Sequence, residues 1–139
     1  MAEARTPQKS IPKVNKVDQT FWEGAAKGKF MLQKCKSCGK VQFFPRVACV
    51  ECFGELDWME AKGTGKIHSF SLVRVPRNPA FKDEVPIYYI NVILDEGVIV
   101  ESKLVGENKD KVKLGDRVKA VFEPTHDPAI KLPCFELAG

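Results

Sequence analysis

The sequence predicts a mainly β protein: an N-terminal helix, a three-stranded ribbon built around a metal ion, then a five-stranded barrel. Three observations predict it. Two Cys-x-x-Cys pairs, Cys35/Cys38 and Cys49/Cys52, lie close together in a chain of 139 residues, a pattern that gathers four thiolates around one divalent ion. From Ile67 onward, apolar runs of strand length alternate with glycine-bearing turns. Gly63-Thr64-Gly65 separates the two patterns.

Residues 1–17 hold Pro7, Pro12 and several lysines with little periodicity, and read as a flexible arm. Residues 18–62 read as the helix and ribbon, and 63–139 as the barrel domain. Asp18 is the candidate N-cap of a helix that places Phe21, Trp22, Ala25 and Ala26 at helical spacing. Gly24 and Gly28 weaken that helix. Phe21 and Trp22 are the size and shape of core anchors. Lys29 to Lys34 is the first strand, with Phe30 and Leu32 on one face. Val41 to Phe44 returns, ended by Pro45, and Leu56 with Trp58 suggests a third strand. So small a unit has little apolar core of its own.

In the barrel region, Ile67–Val75 is one strand. Ile87–Leu94 is another, apolar on both faces and therefore central. Asp95-Glu96-Gly97 is a hairpin turn leading into Val98–Val105, and Leu114-Gly115-Asp116 turns the chain into Arg117–Glu123. Phe135–Leu137 completes the set. Five strands of this length favour a Greek-key barrel of the oligonucleotide/oligosaccharide-binding (OB) type over an open sandwich. The segment from Pro76 to Pro86 is the longest loop, stiffened by three prolines and carrying Phe81, and reads as a binding loop.

The cysteine chemistry admits several readings. Disulfides suit an oxidising compartment, but Met1 to Lys16 has no apolar core and is no secretion signal, so a cytoplasmic setting is expected. A redox Cys-x-x-Cys needs one pair beside a βαβ unit, and none is visible. Four thiolates also suit iron. Zinc held by Cys35, Cys38, Cys49 and Cys52 is the reading that fits best. A closed set of four thiolates leaves no position for a reacting water, so such an ion serves folding rather than chemistry.

The hydrophobic fraction of 44% and charged fraction of 29% are those of a soluble globular protein, and no apolar run reaches membrane-spanning length. The formal charge of +4 falls to about +2 once four thiolates and a divalent ion are counted. That is too little to announce a nucleic-acid partner. Lys27, Lys29, Lys34, Lys36, Lys40 and Arg46 nevertheless fall in a stretch from Gly24 to Val50 that contains no acidic residue. It is either a solvated face that offsets the thiolates or an anion-binding surface.

Other chemistry-bearing residues read blandly. Cys134, alone after Leu132-Pro133, is a small buried hydrophobe rather than a nucleophile. His68 within a strand and His126 in a Pro-rich loop read as structural or solvated. Asp95 and Glu96 are turn residues, and Tyr88 and Tyr89 face opposite sides of their strand. No Gly-rich phosphate loop or nucleophile elbow is present.

From Phe21 onward the chain resembles the DUF35 family. The resemblance is carried by Phe21-Trp22-Glu23-Gly24, by Leu32-Gln33-Lys34-Cys35-Lys36-Ser37-Cys38-Gly39, and by Phe44-Pro45-Arg46 with Cys49 and Cys52. It continues through Gly63-Thr64-Gly65-Lys66-Ile67-His68-Ser69-Phe70, Pro86-Ile87-Tyr88-Tyr89 and Val112-Lys113-Leu114-Gly115-Asp116-Arg117-Val118. It implies a rubredoxin-like zinc ribbon before an OB-fold. It also implies an accessory subunit that binds acyl-CoA thioesters beside thiolase-like enzymes, hydroxymethylglutaryl-CoA synthases, or aldolases and hydratases of acyl-CoA degradation. The small subunit of benzoylsuccinyl-CoA thiolase is one such member. On that implication Lys34, Lys36, Lys40 and Arg46 are candidates for the CoA phosphates, and Phe81 for a wall of the pantetheine groove. The partner would supply the catalytic cysteine and this chain none. The competing expectations are a single-strand nucleic-acid binder and an iron-loaded electron carrier.

Overall fold

The computed structural model describes residues 9–138. Residues 1–8, half of the expected arm, lie outside the described residues. The other half touches the barrel. Ile11 packs against the core, and the Lys9 ammonium lies 5.1 Å from the centre of the Phe81 ring and 2.5 Å from a Glu84 carboxylate oxygen.

The helix α1 spans Gln19–Ala26, directly after Asp18 as expected. Asp18 does not cap it through its side chain. That carboxylate accepts from the Asn15 N–H instead, at 2.9 Å, and Asn15 in turn accepts from the N–H groups of Val17 and Asp18. The side chains fold the approach to the helix rather than its first turn. Phe21, Trp22 and Ala25 are buried.

Three strands follow: β1 (Met31–Cys35), β2 (Val41–Gln42) and β3 (Leu56–Glu60), in the antiparallel order β2-β1-β3. The return strand is shorter than expected. Phe43 and Phe44 leave the ladder, and both rings turn onto Phe21, at 5.4 and 5.7 Å between centroids. Phe21, Phe30 and Phe43 form a mutually packed group. Phe30 continues it to Phe135 of the barrel at 6.1 Å.

The barrel strands are β4 (Thr64–Val73), β5 (Ile87–Leu94), β6 (Ile99–Val105), β7 (Arg117–Pro124) and β8 (Lys131–Leu137). They close in the order β4-β5-β6-β8-β7, with β7 returning to β4. A closed barrel thus replaces the open-sandwich alternative. All pairs are antiparallel except β6 with β8, which meet in parallel at Leu104–Phe135 and Val105–Glu136. Ile67, Ile90, Val92, Leu94, Val100, Leu104, Val118 and Phe135 fill the interior.

Several strand ends shift by one or two residues, β4 ending at Val73 and not Val75, and two starts move further. β4 begins at Thr64 because Gly65 is a strand residue. A Cβ there would come within 2.4 Å of the Ile93 carbonyl oxygen, so glycine permits the close approach of β5. β8 begins at Lys131, ahead of Pro133. Proline needs no hydrogen there, and its carbonyl accepts from the Ser102 hydroxyl at 2.7 Å. The long loop is not wholly irregular, since Pro79–Glu84 forms a 3-10 turn whose start is capped by the Asn78 side chain.

Candidate metal centre

The ribbon strands end where the cysteines begin. Cys35 closes β1, and Cys38 follows one turn later. Cys49 and Cys52 form a matching turn between β2 and β3. The two turns repeat one hydrogen-bond pattern: Gly39 N–H donates to the Cys35 carbonyl at 3.1 Å, and Phe53 N–H to the Cys49 carbonyl at 3.0 Å. Gly39 and Phe53 occupy the same left-handed region, with φ of 76° and 60°. The first turn has the residue that suits this backbone. The second has a phenylalanine, 83% exposed, in a conformation L side chains resist. Gly54 then serves space rather than φ: a Cβ there would stand 3.0 Å from the sulfurs of both Cys35 and Cys52.

All four sulfurs lie within 4.8 Å of one another, and all four cysteines are free of disulfides. Cys35 and Cys52 sulfurs are 3.5 Å apart, and Cys38 and Cys49 sulfurs 3.6 Å. Sulfurs about 2.3 Å from a zinc ion stand about 3.8 Å apart in a tetrahedron. The cage therefore has the size and donor chemistry for such an ion.

The four thiols are shifted in opposite directions by their surroundings. The Cys38 N–H, helped by the Ser37 N–H, lowers the Cys35 thiol to about 6 against its burial. Cys49 is lowered by the N–H groups of Cys52 and Glu51. Cys52 is pushed up to about 12: the Gly54 N–H opposes this, and the sulfurs of Cys35 and Cys38 overcome it. Cys38 is also raised, the Lys40 N–H being outweighed by burial and by the sulfurs of Cys49 and Cys35. Backbone N–H groups thus favour thiolate at the first cysteine of each pair, and crowding disfavours it at the second.

The basic stretch proves less cationic than it reads. Lys36 lies 3.3 Å from Glu55, and Lys40 lies 2.9 Å from Glu51. The acids sit just beyond the acid-free stretch. The Glu51 contact raises the Lys40 pKa, and Lys40 lowers that of Glu51. Lys34 and Arg46 are exposed. Phe81 belongs to a different place. It lines a cavity of about 280 Å³ with Lys9, Ile11, Lys103, Glu123, His126 and Leu132, and none of the four basic ribbon residues lines it. The structure brings the four cysteines together but does not bring the CoA candidates into one pocket.

Two clusters escaped the sequence reading. Lys103 bridges Glu84 and Glu123, each at 2.9 Å, while Glu84 also holds Lys9. Burial works against the Lys103 charge, and the two carboxylates restore it and raise its pKa. These residues come from four separate segments, so no local pattern announces them. Cys134 lies beside them, 2% exposed with its sulfur 4.0 Å from Glu123. Burial, then Glu123, pushes its thiol up to about 11, which fits a packed thiol and not a nucleophile. His68 sits exposed at a register shift of β4. Tyr88 is buried, while Tyr89 is exposed and donates to Glu101. The second cluster is a pair of buried glutamines, Gln33 and Gln42. Among the described residues no helix is long and apolar enough to cross a membrane.

Comparison with known proteins covers both parts. Residues 22–57 match the family model for the ChsH2 rubredoxin-like zinc ribbon domain, and residues 58–123 that for the ChsH2 C-terminal OB-fold domain. A DUF35 domain-containing scaffold protein of Methanothermobacter thermautotrophicus is 38% identical over 96 residues, 68% of this chain and 71% of that one. A probable enoyl-CoA hydratase alpha subunit of Thermomonospora curvata is 35% identical over 130 residues. That match covers 91% of this chain and only 39% of the relative's own length. Among solved structures, a chain of the Ltp2-ChsH2(DUF35) aldolase superposes with a TM-score of 0.79 at 30% identity, covering 91% of this chain and 98% of that one. A DUF35 protein of unknown function from Sulfolobus solfataricus reaches 0.61 at 18% identity, a likeness of fold alone. Ribbon and barrel are matched in the order in which the chain builds them, and the chain belongs to the DUF35 family.

Proposed function

We propose that this chain is a zinc-binding, non-catalytic subunit that docks on a thiolase-type acyl-CoA acyltransferase and helps hold the CoA thioester. The observation that carries the reading is the closed sulfur cage. Its four thiolates fill the coordination sphere of a tetrahedral ion, leaving a crosslink between two turns and no place for substrate or water. The Cys134 thiol is packed and held protonated, so the one cysteine outside the cage is no nucleophile. Relatives named as a chain of the Ltp2-ChsH2(DUF35) aldolase, a scaffold protein and a probable hydratase alpha subunit support a role beside a catalytic chain. Within the reading, Cys35, Cys38, Cys49 and Cys52 hold zinc. Lys34 and Arg46 are the better placed of the basic candidates to meet phosphates, because Lys36 and Lys40 already face carboxylates.

Co-expression with candidate thiolases tests this. The expected result is a stable hetero-oligomer containing one zinc per copy of this chain and a CoA-dependent rise in melting temperature. A chain that stays alone with every candidate and shows no response to CoA overturns it. The same preparation tests the rival of single-strand nucleic-acid binding. The barrel pairs Arg117 with Asp95, Lys119 with Glu136 and Lys103 with Glu84 and Glu123, so these three cations already face carboxylates, and a strong salt-dependent affinity for single strands would favour the rival.

A further inference from the structure

The second turn of the cage hangs from a segment outside any ladder. Residues 43–50 leave β2 after Gln42 and run to Cys49 with no strand partner. Such a segment must find partners for its backbone groups elsewhere. We propose that Gln33 and Gln42 are positioning residues for the metal centre. Their side-chain amides fasten residues 43–50 to the ribbon sheet and so set the Cys49–Cys52 turn against Cys35 and Cys38. The proposal rests on the zinc reading above.

The two glutamines stand directly opposite each other in the β1–β2 register. They are 4% and 5% exposed. The Gln33 amide treats Arg46 as a neighbouring strand would: its Oε1 accepts from the Arg46 N–H at 2.8 Å, and its Nε2 donates to the Arg46 carbonyl at 2.9 Å. Gln42 continues the attachment. Its Oε1 accepts from the Val50 N–H at 3.1 Å, and its Nε2 faces the Ala48 carbonyl at 3.4 Å and Gln33 Oε1 at 3.2 Å. Val50 immediately follows Cys49, so the Val50 contact lies one residue from a sulfur ligand.

The choice of side chain follows from what the site demands. Both N–H and C=O groups of the loop must be met from one side-chain end, and a primary amide presents a donor and an acceptor side by side in one plane. Glutamate would offer acceptors alone and bury a charge; leucine would leave four backbone groups unmatched. The first turn needs no such help, because Cys35 is itself part of β1. The second has no strand beneath it, and the amides substitute for one. Groups that orient ligands ahead of binding lower the cost of forming the site, and losing one typically weakens metal affinity by about 10- to 100-fold.

Two measurements on the full chain test the assignment. Zinc is titrated away with a competing chelator in the natural sequence and in Gln42→Leu, Gln42→Glu and the surface control Glu23→Ala. The zinc-loaded proteins are then alkylated, and modified cysteines are mapped. Both Gln42 variants are expected to bind zinc at least about tenfold more weakly, with Cys49 and Cys52 alkylated before Cys35 and Cys38, while the control matches the natural chain. General destabilisation of the ribbon would instead open all four sulfurs together. If Gln42→Leu does not fold, the near-isosteric Gln42→Glu decides. Unchanged affinity or an even labelling pattern overturns the positioning role alone. A natural chain that takes up no metal overturns the zinc reading and this proposal with it.

Discussion

The barrel and the ribbon are both small β structures, yet they are held together differently. In the barrel every strand is paired on both sides, and the interior is a continuous fill of Ile90, Val92, Leu94, Val118 and Phe135, each at most 1% exposed. The ribbon has three strands, one of them only two residues long, and two edges. One end is closed by aromatic rings from α1 and the 43–44 corner, the other by sulfur. A closed ladder with an apolar filling supplies its own cohesion. An open sheet of this size must draw on something at each end. What it draws on here is the barrel at the aromatic end and, on the zinc reading, an ion held by the four-cysteine cage at the other.

Removing the ion should widen the contrast most. Chelation under reducing conditions is expected to abolish hydrogen-exchange protection around the two cysteine turns and in β2, while β5 and β7 keep theirs. The lost binding energy is on the order of 10 kcal/mol for a structural zinc site. Cysteine turns that remain protected after stripping would break the distinction between the two regions.

A smaller effect is expected at the seam. Phe30 is 2% exposed and touches Phe21, Phe43 and Phe135. Phe30→Ala should cost about 3–5 kcal/mol and lower the unfolding transitions of ribbon and barrel together. A loss confined to the ribbon would show that the barrel lends nothing across the seam.

The smallest effect concerns acid. The Asp95 carboxylate accepts two bonds from Arg117, at 2.8 and 2.9 Å, and one from the Thr64 hydroxyl. Arg117 first, then Thr64, holds it well below the usual carboxylate range. A depressed folded-state value contributes stability above the ordinary carboxylate range and loses it as pH falls toward the folded-state value. The pair is exposed, so solvent screens much of this. Urea midpoints of the barrel should therefore fall slightly more in the natural chain than in Asp95→Asn when pH drops below about 4. Parallel curves would remove this ion pair from the barrel's stability.

Much of the fold is legible in the order of residues, and the reasons are local. Gly97 and Gly115 take positive φ in the turns read from their neighbours, and β5 runs Ile87–Leu94 as its apolar run indicates. The four cysteines converge because short turns at that spacing leave their sulfurs few other places to go. What escaped depends on groups distant in sequence. Lys36 and Lys40 look like a free basic face until Glu55 and Glu51 fold over them. Phe43 and Phe44 look like strand residues until Phe21 supplies a better surface. Gln33 and Gln42 look like ordinary polar positions in an alternating strand, and only an unladdered loop lying over them gives their amides a purpose. Phe81 looks like a wall for a ligand, and in the structure Lys9 and Ile11 line the same cavity with it.

The contact between Phe30 and Phe135 has a mechanical corollary. It sits beside the 61–63 connection, where the Ala61 N–H donates to the Phe30 carbonyl at 2.8 Å and the Ala120 N–H to the Gly63 carbonyl at 2.6 Å, so ring contact and backbone bonds clamp one joint that a bare linker would leave as a hinge. A catalytic chain that gripped the sulfur end would thereby fix the bearing of the barrel mouth as well. Lengthening the connection would do little to free it, because the Phe30–Phe135 contact is made of side chains that the linker does not carry.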